Sequence, residues 1–538
     1  MAIELKHATL STAGPYTPTG ELGPDEWNAG HNLTMATARL LGRTTASAGA
    51  VEEISTGGGL TLSGGVLSSS SAESFIASGT IAAAGLVVSL NANGTVSAVS
   101  GAASSAGTEV VFESATTNEI SAVYDSTNGK VVIAYQDAGN SNYGTAIVGT
   151  VSGTSISFGT PVVFESASTY FPSICFDSAN GKVVIAYEDA GNLNYGTAIV
   201  GTVSGTSISF GTAVVFESAT TEYLSAVYDS TNGKVVIAYQ DAGNSNYGTA
   251  IVGTVSGTSI SFGTAVVFRS ASAIFIAAAY DSTNGKIVIA YKNSADLTGE
   301  AIVGTVSGTS ISFGTAIRFC DENMSYTAIC FDSANGKVVV VYTINAESAG
   351  AARVGTVLGT SISFGAPVVF AGYTTYLSSV YDPSQGKVVI AWEGYYETVF
   401  YGGSIAGQVS RNSIVFEEEL VFDSSDAYYA SLAYDSTNGK VVIAYSDSGN
   451  SNYGTAVVYT TSTTNRLRTL GIAQSSATNT NPVKIKLPNQ VDANQTGLTA
   501  GSSYYVATGG GAISTTNTGT LVGKAISATE LLITNWSQ

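Results

Sequence analysis

The stretch Tyr124-Asp-Ser-Thr-Asn-Gly-Lys-Val-Val-Ile-Ala-Tyr135 joins a polar turn to a short run that is apolar at consecutive positions. Related stretches start at Phe176, Tyr228, Tyr280, Phe331, Tyr381 and Tyr434. Their aspartates stand at 125, 177, 229, 281, 332, 382 and 435, so the steps are 52, 52, 52, 51, 50 and 53 residues. A fixed period near 50 residues marks a repeat architecture, in which each unit buries its surface against its neighbours.

Working outward, one unit divides into four strand-like runs, called A to D. In the second copy they cover 173–177, 182–188, 196–203 and 206–217. Asp-Ser-x-Asn-Gly turns A into B, and Val-Ser-Gly-Thr-Ser turns C into D. Each turn has glycine where positive φ is needed. Strand B is apolar on successive residues (Val131-Val-Ile-Ala134), so both of its faces must be covered. Four-stranded sheets stacked around an axis achieve this, and a four-strand repeat of this length is the signature of a β-propeller blade. Seven copies predict an all-β fold with a seven-bladed propeller.

The seventh copy ends at strand C, Tyr453–Thr460, while a spare D-like run at 108–114 precedes the first A. The early run is expected to complete the last blade and remove an open sheet edge. The D–A and B–C connections then share one face. The A–B and C–D turns share the other, where the chain also enters and leaves.

Bulk composition bounds the function. Hydrophobic residues make up 44% and charged residues 11%, with 61 Gly, so the chain is not compositionally disordered. A net charge of −19 argues against nucleic acid or an anionic membrane as partner. Cys175, Cys320 and Cys330 follow no disulfide or zinc spacing and read as apolar fillers. No signal-peptide layout is visible, and the apolar stretch 76–90 is too short and too rich in Ser and Gly for membrane insertion. Synthesis in a cytosol without export is expected.

His7 and His31 both precede the repeats, so no histidine-based triad or metal site is expected in the propeller. Its arginines, Arg269, Arg318, Arg353 and Arg411, do not form the cluster that sialidase-type propellers use. The repeated aspartates read as turn caps. The Asp137-Ala-Gly-Asn-Ser-Asn loops lack EF-hand spacing and read as solvated turns rather than Ca²⁺ sites. Glu393 and Glu397 could act as a paired-carboxylate glycosidase, but spacing singles out neither. The expectation is a protein that is not an enzyme, with no cofactor and no metal.

Differences among the near-identical copies point to a recognition face. The A–B and C–D turns barely change. The D–A connections differ in every copy, from Thr116-Thr-Asn-Glu-Ile to Asp426-Ala-Tyr-Tyr. The B–C loops diverge in copies four to six, most in Glu393-Gly-Tyr-Tyr-Glu-Thr-Val-Phe-Tyr401. Tyrosines with a few carboxylates suit sugars, by stacking and by hydrogen bonds to hydroxyls. Tyr373, Tyr395, Tyr396, Glu397, Tyr401, Asp426, Tyr428 and Tyr429 are the candidate ligand-binding residues. Tyr395, Tyr396 and Tyr428 are expected to be exposed. Tyr170, Tyr223 and Phe275 could equally pack the upper rim of the blades.

Before the repeats, Pro15, Pro18 and Pro24 break up the chain, with room for a short helix at 25–37. Read alone, 1–72 is a flexible leader or an anchor ordered by neighbouring subunits. Three phrases, Pro24-Asp-Glu-Trp-Asn-Ala-Gly-His31, the run from Leu40 to Ile54 and the run from Gly57 to Gly65, resemble the opening of tailed-bacteriophage tail-fibre and virion fibre proteins. Glu26 stands where serine is common. The resemblance implies a virion fibre, attachment to other virion proteins through this region (including Trp27, Asn28 and His31), homotrimer assembly and a host glycan or envelope protein as partner. Regions 73–106 and 461–538 together resemble one small β-domain of phage structural proteins, through Asn91-Ala-Asn-Gly94, Leu470-Gly-Ile-Ala473, the Gly-Leu-Thr-x-Gly pattern from Gly497 and Val522-Gly-Lys-Ala525. The expected division is therefore 1–72 anchor, 73–106 first part of the small domain, 107–460 propeller and 461–538 second part. The alternatives are a bacterial surface adhesin or lectin, and a head-fibre decoration protein without receptor role.

Overall fold

A computed structural model describes residues 102–463 without a break, together with short strands between 39 and 98 and between 469 and 533. Trp27, Asn28, His31 and the helix expected over 25–37 lie outside the described residues. Contacts divide the chain into two compact units, the propeller and a unit drawn from chain on both sides of it.

In the first blade, strand B is Lys130–Asp137 and strand C is Tyr143–Ser152. Strand A is the second half of Val110–Asp125, and strand D is Ser155–Phe158 continued by the start of Val162–Asp177. A pairs with B, B with C and C with D, all antiparallel. The same ladder recurs in the following copies. In the seventh, Tyr453–Thr460 pairs with Ser105–Ala106 and with the first half of Val110–Asp125. The early strand therefore supplies the last D.

The apolar B strand is explained by its two neighbours. Val131, Ile133 and Tyr135 pack with Val442, Ala444 and Ala456 of the seventh blade. Val132 and Ala134 pack with Ile174, Val183, Ile185 and Tyr187 of the second. Large residues on one face meet small ones on the next sheet, which fills the space between blades. Each fully buried Val or Ile side chain contributes about 2 kcal/mol.

One expectation is corrected. The D–A connections are not loops. Five of the seven crossings lie within single unbroken strands, such as the 16-residue Val110–Asp125 and Val162–Asp177. Only 321–323 and 424–426 interrupt the strand. The segments stay rich in β-branched and aromatic residues, and one bulge in each absorbs the change of direction.

The repeated aspartates do cap turns. Asp125 Oδ1 accepts from the Thr127 and Asn128 amides, and its Oδ2 accepts from the Asn128 side chain. Serines then tie the inner A strands together. Ser121 Oγ accepts from the Ile174 amide, Ser173 Oγ from Ala226, and Ser431 Oγ from Ala122, which closes the ring. The three cysteines are buried and free. Among the described residues, no helix is long and apolar enough to cross a membrane.

A second set of contacts ties the outer edges. Gly159, Gly211, Gly263, Gly314 and Gly365 each lie against the C–D turn of the next blade. A Cβ on Gly211 would sit 1.8 Å from the Thr258 carbonyl oxygen. In the sixth blade this position is Glu417. The seventh blade has no C–D hairpin to collide with, so a side chain fits. Elsewhere the turn lysine donates to a strand-C threonine, as Lys130 Nζ does to Thr150 Oγ1 at 2.8 Å. The sixth copy has Gln408 in place of that threonine. Lys387 is buried instead, with Nζ 2.6 Å from Glu417 Oε1 and 2.7 Å from the Ser462 carbonyl.

In the second unit, Glu73–Ile76 pairs with Pro482–Lys486, and Val87–Leu90 pairs with Thr469–Ala473 and Val96–Ala98. Strands from before and after the propeller thus share one sheet. A further sheet holds Val491–Asp492, Leu531–Ile533, Leu521–Ala525, Ser503–Val506 and Ile513–Ser514.

Candidate functional site

The predicted binding residues, Tyr401 apart, separate into two groups. The first is a hairpin in the sixth blade, Lys387–Tyr396 and Val399–Ser410, whose two strands extend past those of the other blades. Glu397 sits in its two-residue turn with φ +57°. Cross-strand register places Tyr373 beside Tyr395, and Tyr395 beside Phe400. Ring centres of Tyr395 and Phe400 are 4.5 Å apart, and Tyr373 meets both edge-on. Tyr396 is 70% exposed, Tyr395 38% and Val399 55%. This is an aromatic patch in solvent, as expected for Tyr395 and Tyr396.

Tyr401 does not join the patch. Its ring lies across Gly394, and its hydroxyl is bonded to Glu419 and near the Trp392 nitrogen. The proposed pairing of Glu393 with Glu397 also fails to form. Glu393 is buried on strand B, accepting from Thr375 Oγ1, while Glu397 is exposed.

The second group turns toward the propeller axis. Glu119, Phe171, Tyr223, Phe275, Tyr326, Tyr376 and Tyr429 each stand six residues before the repeat aspartate, and all have φ between +48° and +54°. Bulky residues rarely adopt this conformation. Tyr429 belongs here, with its ring centre 4.8 Å from that of Tyr376. Tyr428, the residue before it, is half-buried rather than exposed. Its hydroxyl donates to Asp426 Oδ2 at 2.6 Å, and this carboxylate is the main cause of its raised pKa. Tyr170 points outward, and Phe171 takes the axial place in its copy. The alignment of these seven positions is present in the sequence as a fixed offset from the aspartate, but loop-like composition obscures it.

Below the axial ring, strand B contributes Gln136, Glu188, Gln240, Lys292, Thr343, Glu393 and Ser446, all buried. Gln136 Nε2 donates to the Thr169 carbonyl of the next blade, and Gln240 Nε2 donates to that of Ala273. Glu188 occupies the same column between them. Burial, then Glu222 and Glu119, push its carboxyl up to about 7. The raised value makes the carboxylate unfavourable in the folded state, and the penalty grows as pH rises from about 4.5 through 7. Glu188→Gln is therefore expected to raise stability at pH 8 by about 1–2 kcal/mol, with a smaller gain at pH 4. Thermal unfolding at both pH values checks this. An equal gain at the two values would leave only the restored hydrogen bond as its cause.

The carboxylates of Glu109, Asp423 and Asp447 lie within 4.8 Å of one another in the seventh blade and could offer three oxygen ligands. Burial, then mutual repulsion, raises the pKa values of Glu109 and Asp447. In the B–C loops, Asp137 Oδ1 accepts from the Asn140 amide and caps a short 3₁₀ turn.

No family model and no curated protein matches this chain. Solved structures do. The BP39L lectin from Burkholderia pseudomallei has a TM-score of 0.50 at 7% identity, over 66% of this chain and 98% of that one. The NanB sialidase from Streptococcus pneumoniae has a TM-score of 0.39 at 12% identity, over 65% of this chain and 68% of that one. A Trypanosoma rangeli sialidase has a TM-score of 0.38 at 12% identity, covering 69% and 56%. Identities this low show a shared fold. Sialidases stand among these structures, so the expectation that the chain is not an enzyme is corrected: the scarcity of histidine and arginine does not exclude catalysis on this fold. The chain shares the β-propeller fold of lectins and sialidases.

Proposed function

We propose that the propeller is a glycan-binding head, and that its recognition surface is the projecting hairpin of the sixth blade. The observation that carries this is the exposed pair Tyr395 and Tyr396, with half-buried Tyr373 and Phe400 packed beside Tyr395 and Glu397 at the tip. Stacked aromatic faces next to a carboxylate match the alternating apolar and hydroxyl faces of a sugar ring. The resemblance of residues 20–67 to phage fibre openings supports placing this head on a virion fibre that binds a host surface glycan. A bacterial surface lectin would use the same hairpin in the same way.

The test is binding of the full chain to an array of bacterial surface polysaccharides. Tyr395→Ala/Tyr396→Ala is expected to weaken binding at least tenfold, the equivalent of about 1.4 kcal/mol, while leaving the melting temperature within a few degrees. Retained binding by this variant would remove the hairpin from the recognition surface.

A further inference from the structure

The axial ring has features that a structural plug does not need. Phe171, Tyr223, Phe275, Tyr326, Tyr376 and Tyr429 follow one another with ring centres 4.8–5.4 Å apart. Glu119 closes the circle as its one charged member. Its carboxylate accepts from the Phe171 amide and lies close enough to Tyr429 to raise that hydroxyl's pKa. Five of the aromatics and Glu119 line a cavity of about 210 Å³. A plug would fill this space. Here the side chains leave a vessel large enough for one small organic group.

Carboxylates outnumber basic side chains around the cavity. Glu188 and Glu222 lie near Glu119, and Glu393 is near Tyr326, Tyr376 and Asp426. Lys292 is the basic side chain of the buried strand-B column, and it is already engaged. Its Nζ bonds Asn323 Oδ1 at 2.9 Å and stands 5.9 Å from the Phe275 ring centre. An anion would meet repulsion, with no guanidinium in the ring or the column to answer it. A neutral ligand would gain nothing from the charge of Glu119. A cation with apolar substituents finds ring quadrupoles and a carboxylate in a site of reduced dielectric, each of which favours it.

We propose that the axial mouth binds an organic ammonium group, the chemistry shared by amino sugars and choline-type headgroups. This site is distinct from the sixth-blade hairpin and does not rest on the glycan reading. Glu119 supplies the counter-charge, and the aromatic ring encloses the substituents. Burial pushes the Glu119 carboxyl up to about 7, facing Glu188 (also raised to about 7), Tyr223, Tyr376 and Tyr429. A bound cation stabilises the ionised carboxylates. Binding therefore strengthens as pH rises from 5.5 to 8.

The experiment is calorimetric titration of the full chain with choline and with glucosamine, each beside its neutral counterpart, 3,3-dimethylbutan-1-ol and glucose. At least one cation is expected to bind ten times more tightly than its counterpart at pH 6.5, and choline, whose charge does not titrate, more tightly at pH 8 than at pH 5.5. Binding of choline alone names a headgroup as the source, and binding of glucosamine alone names an amino sugar. Glu119→Gln is expected to reduce the pH dependence to what Glu188 alone supplies and to weaken the cation at least tenfold, with the melting temperature measured to verify folding. Tyr376→Leu, which leaves the carboxylate in place, is expected to weaken the cation while retaining the pH dependence. Equal binding of cation and neutral counterpart, no binding of either cation, or unchanged binding by Glu119→Gln would each overturn the proposal.

Discussion

Glu417→Ala is expected to destabilise the propeller by about 3–5 kcal/mol, among the largest effects of any single side-chain truncation in the chain. The reason is what it leaves behind. Lys387 is 2% exposed on its side chain, Glu417 is 6% exposed, and their charged atoms are 2.6 Å apart. Ser462 completes the cluster, with its hydroxyl 3.0 Å from Glu417 Oε1 and its amide donating to Ser104 Oγ. The truncation removes a carboxylate that offsets the desolvation of a buried ammonium. It also loosens the point where chain leaving the propeller is held against chain entering it. Chemical denaturation followed by intrinsic fluorescence measures the loss. Lys387→Met/Glu417→Leu provides the comparison: apolar replacement of both partners is expected to restore most of the stability. If the double variant is as unstable as Glu417→Ala, the cost lies in packing rather than in the lost counter-charge.

Gly211→Ala is the second large effect, at about 4 kcal/mol or more. The added methyl would lie 1.8 Å from the Thr258 carbonyl oxygen, and that oxygen belongs to backbone in the next blade. No rotamer relieves such a contact, so two sheets must separate. Gly205→Ala serves as the control. It lies six residues earlier, has φ +62°, and a methyl added there would have nothing within 4 Å. Its cost is conformational alone, about 1–2 kcal/mol. Equal melting temperatures for the two variants would show that the blades can part without penalty.

Much of the propeller was legible because its signals are local and repeated. Asp-Ser-x-Asn-Gly specifies a turn within five residues, and the apolar B strand states that both faces are covered. The exchange of Gly for Glu417 and of Thr for Gln408 was also visible, but its meaning was not. It depends on the missing C–D hairpin of the seventh blade, a contact between distant parts of the chain. The axial ring was hidden for a different reason. Variable stretches rich in Tyr, Asn and Ser look like loops, yet a strand that bends at one bulge tolerates the same residues. The left-handed residue at each bulge is Tyr, Phe or Glu, not Gly or Asn, so turn chemistry gave no sign of it. At the hairpin, the alternation of Tyr395 and Tyr396 showed aromatic density. Only the two-residue turn at Glu397 showed which rings stand clear of the blade and why Tyr401, paired with Gly394, does not.

The borrowed strand of the seventh blade fixes an order of events during synthesis. Its partner, Tyr453–Thr460, is the last propeller strand to leave the ribosome: Ser104 and Ser462, bonded in the finished ring, are 358 residues apart. Until then the propeller's first strand has a bare edge while six blades assemble beside it. Val110, Val111 and Phe112 would invite a partner from another nascent chain, and Glu109 and Glu113 flank them with charge that discourages it. The same two carboxylates then enter the closed blade, Glu113 to accept from the Tyr135 hydroxyl and Glu109 to meet Asp423 and Asp447. A residue pair that protects the unfinished chain is thus retained in the finished one, at the cost of like charges crowded on its final seam.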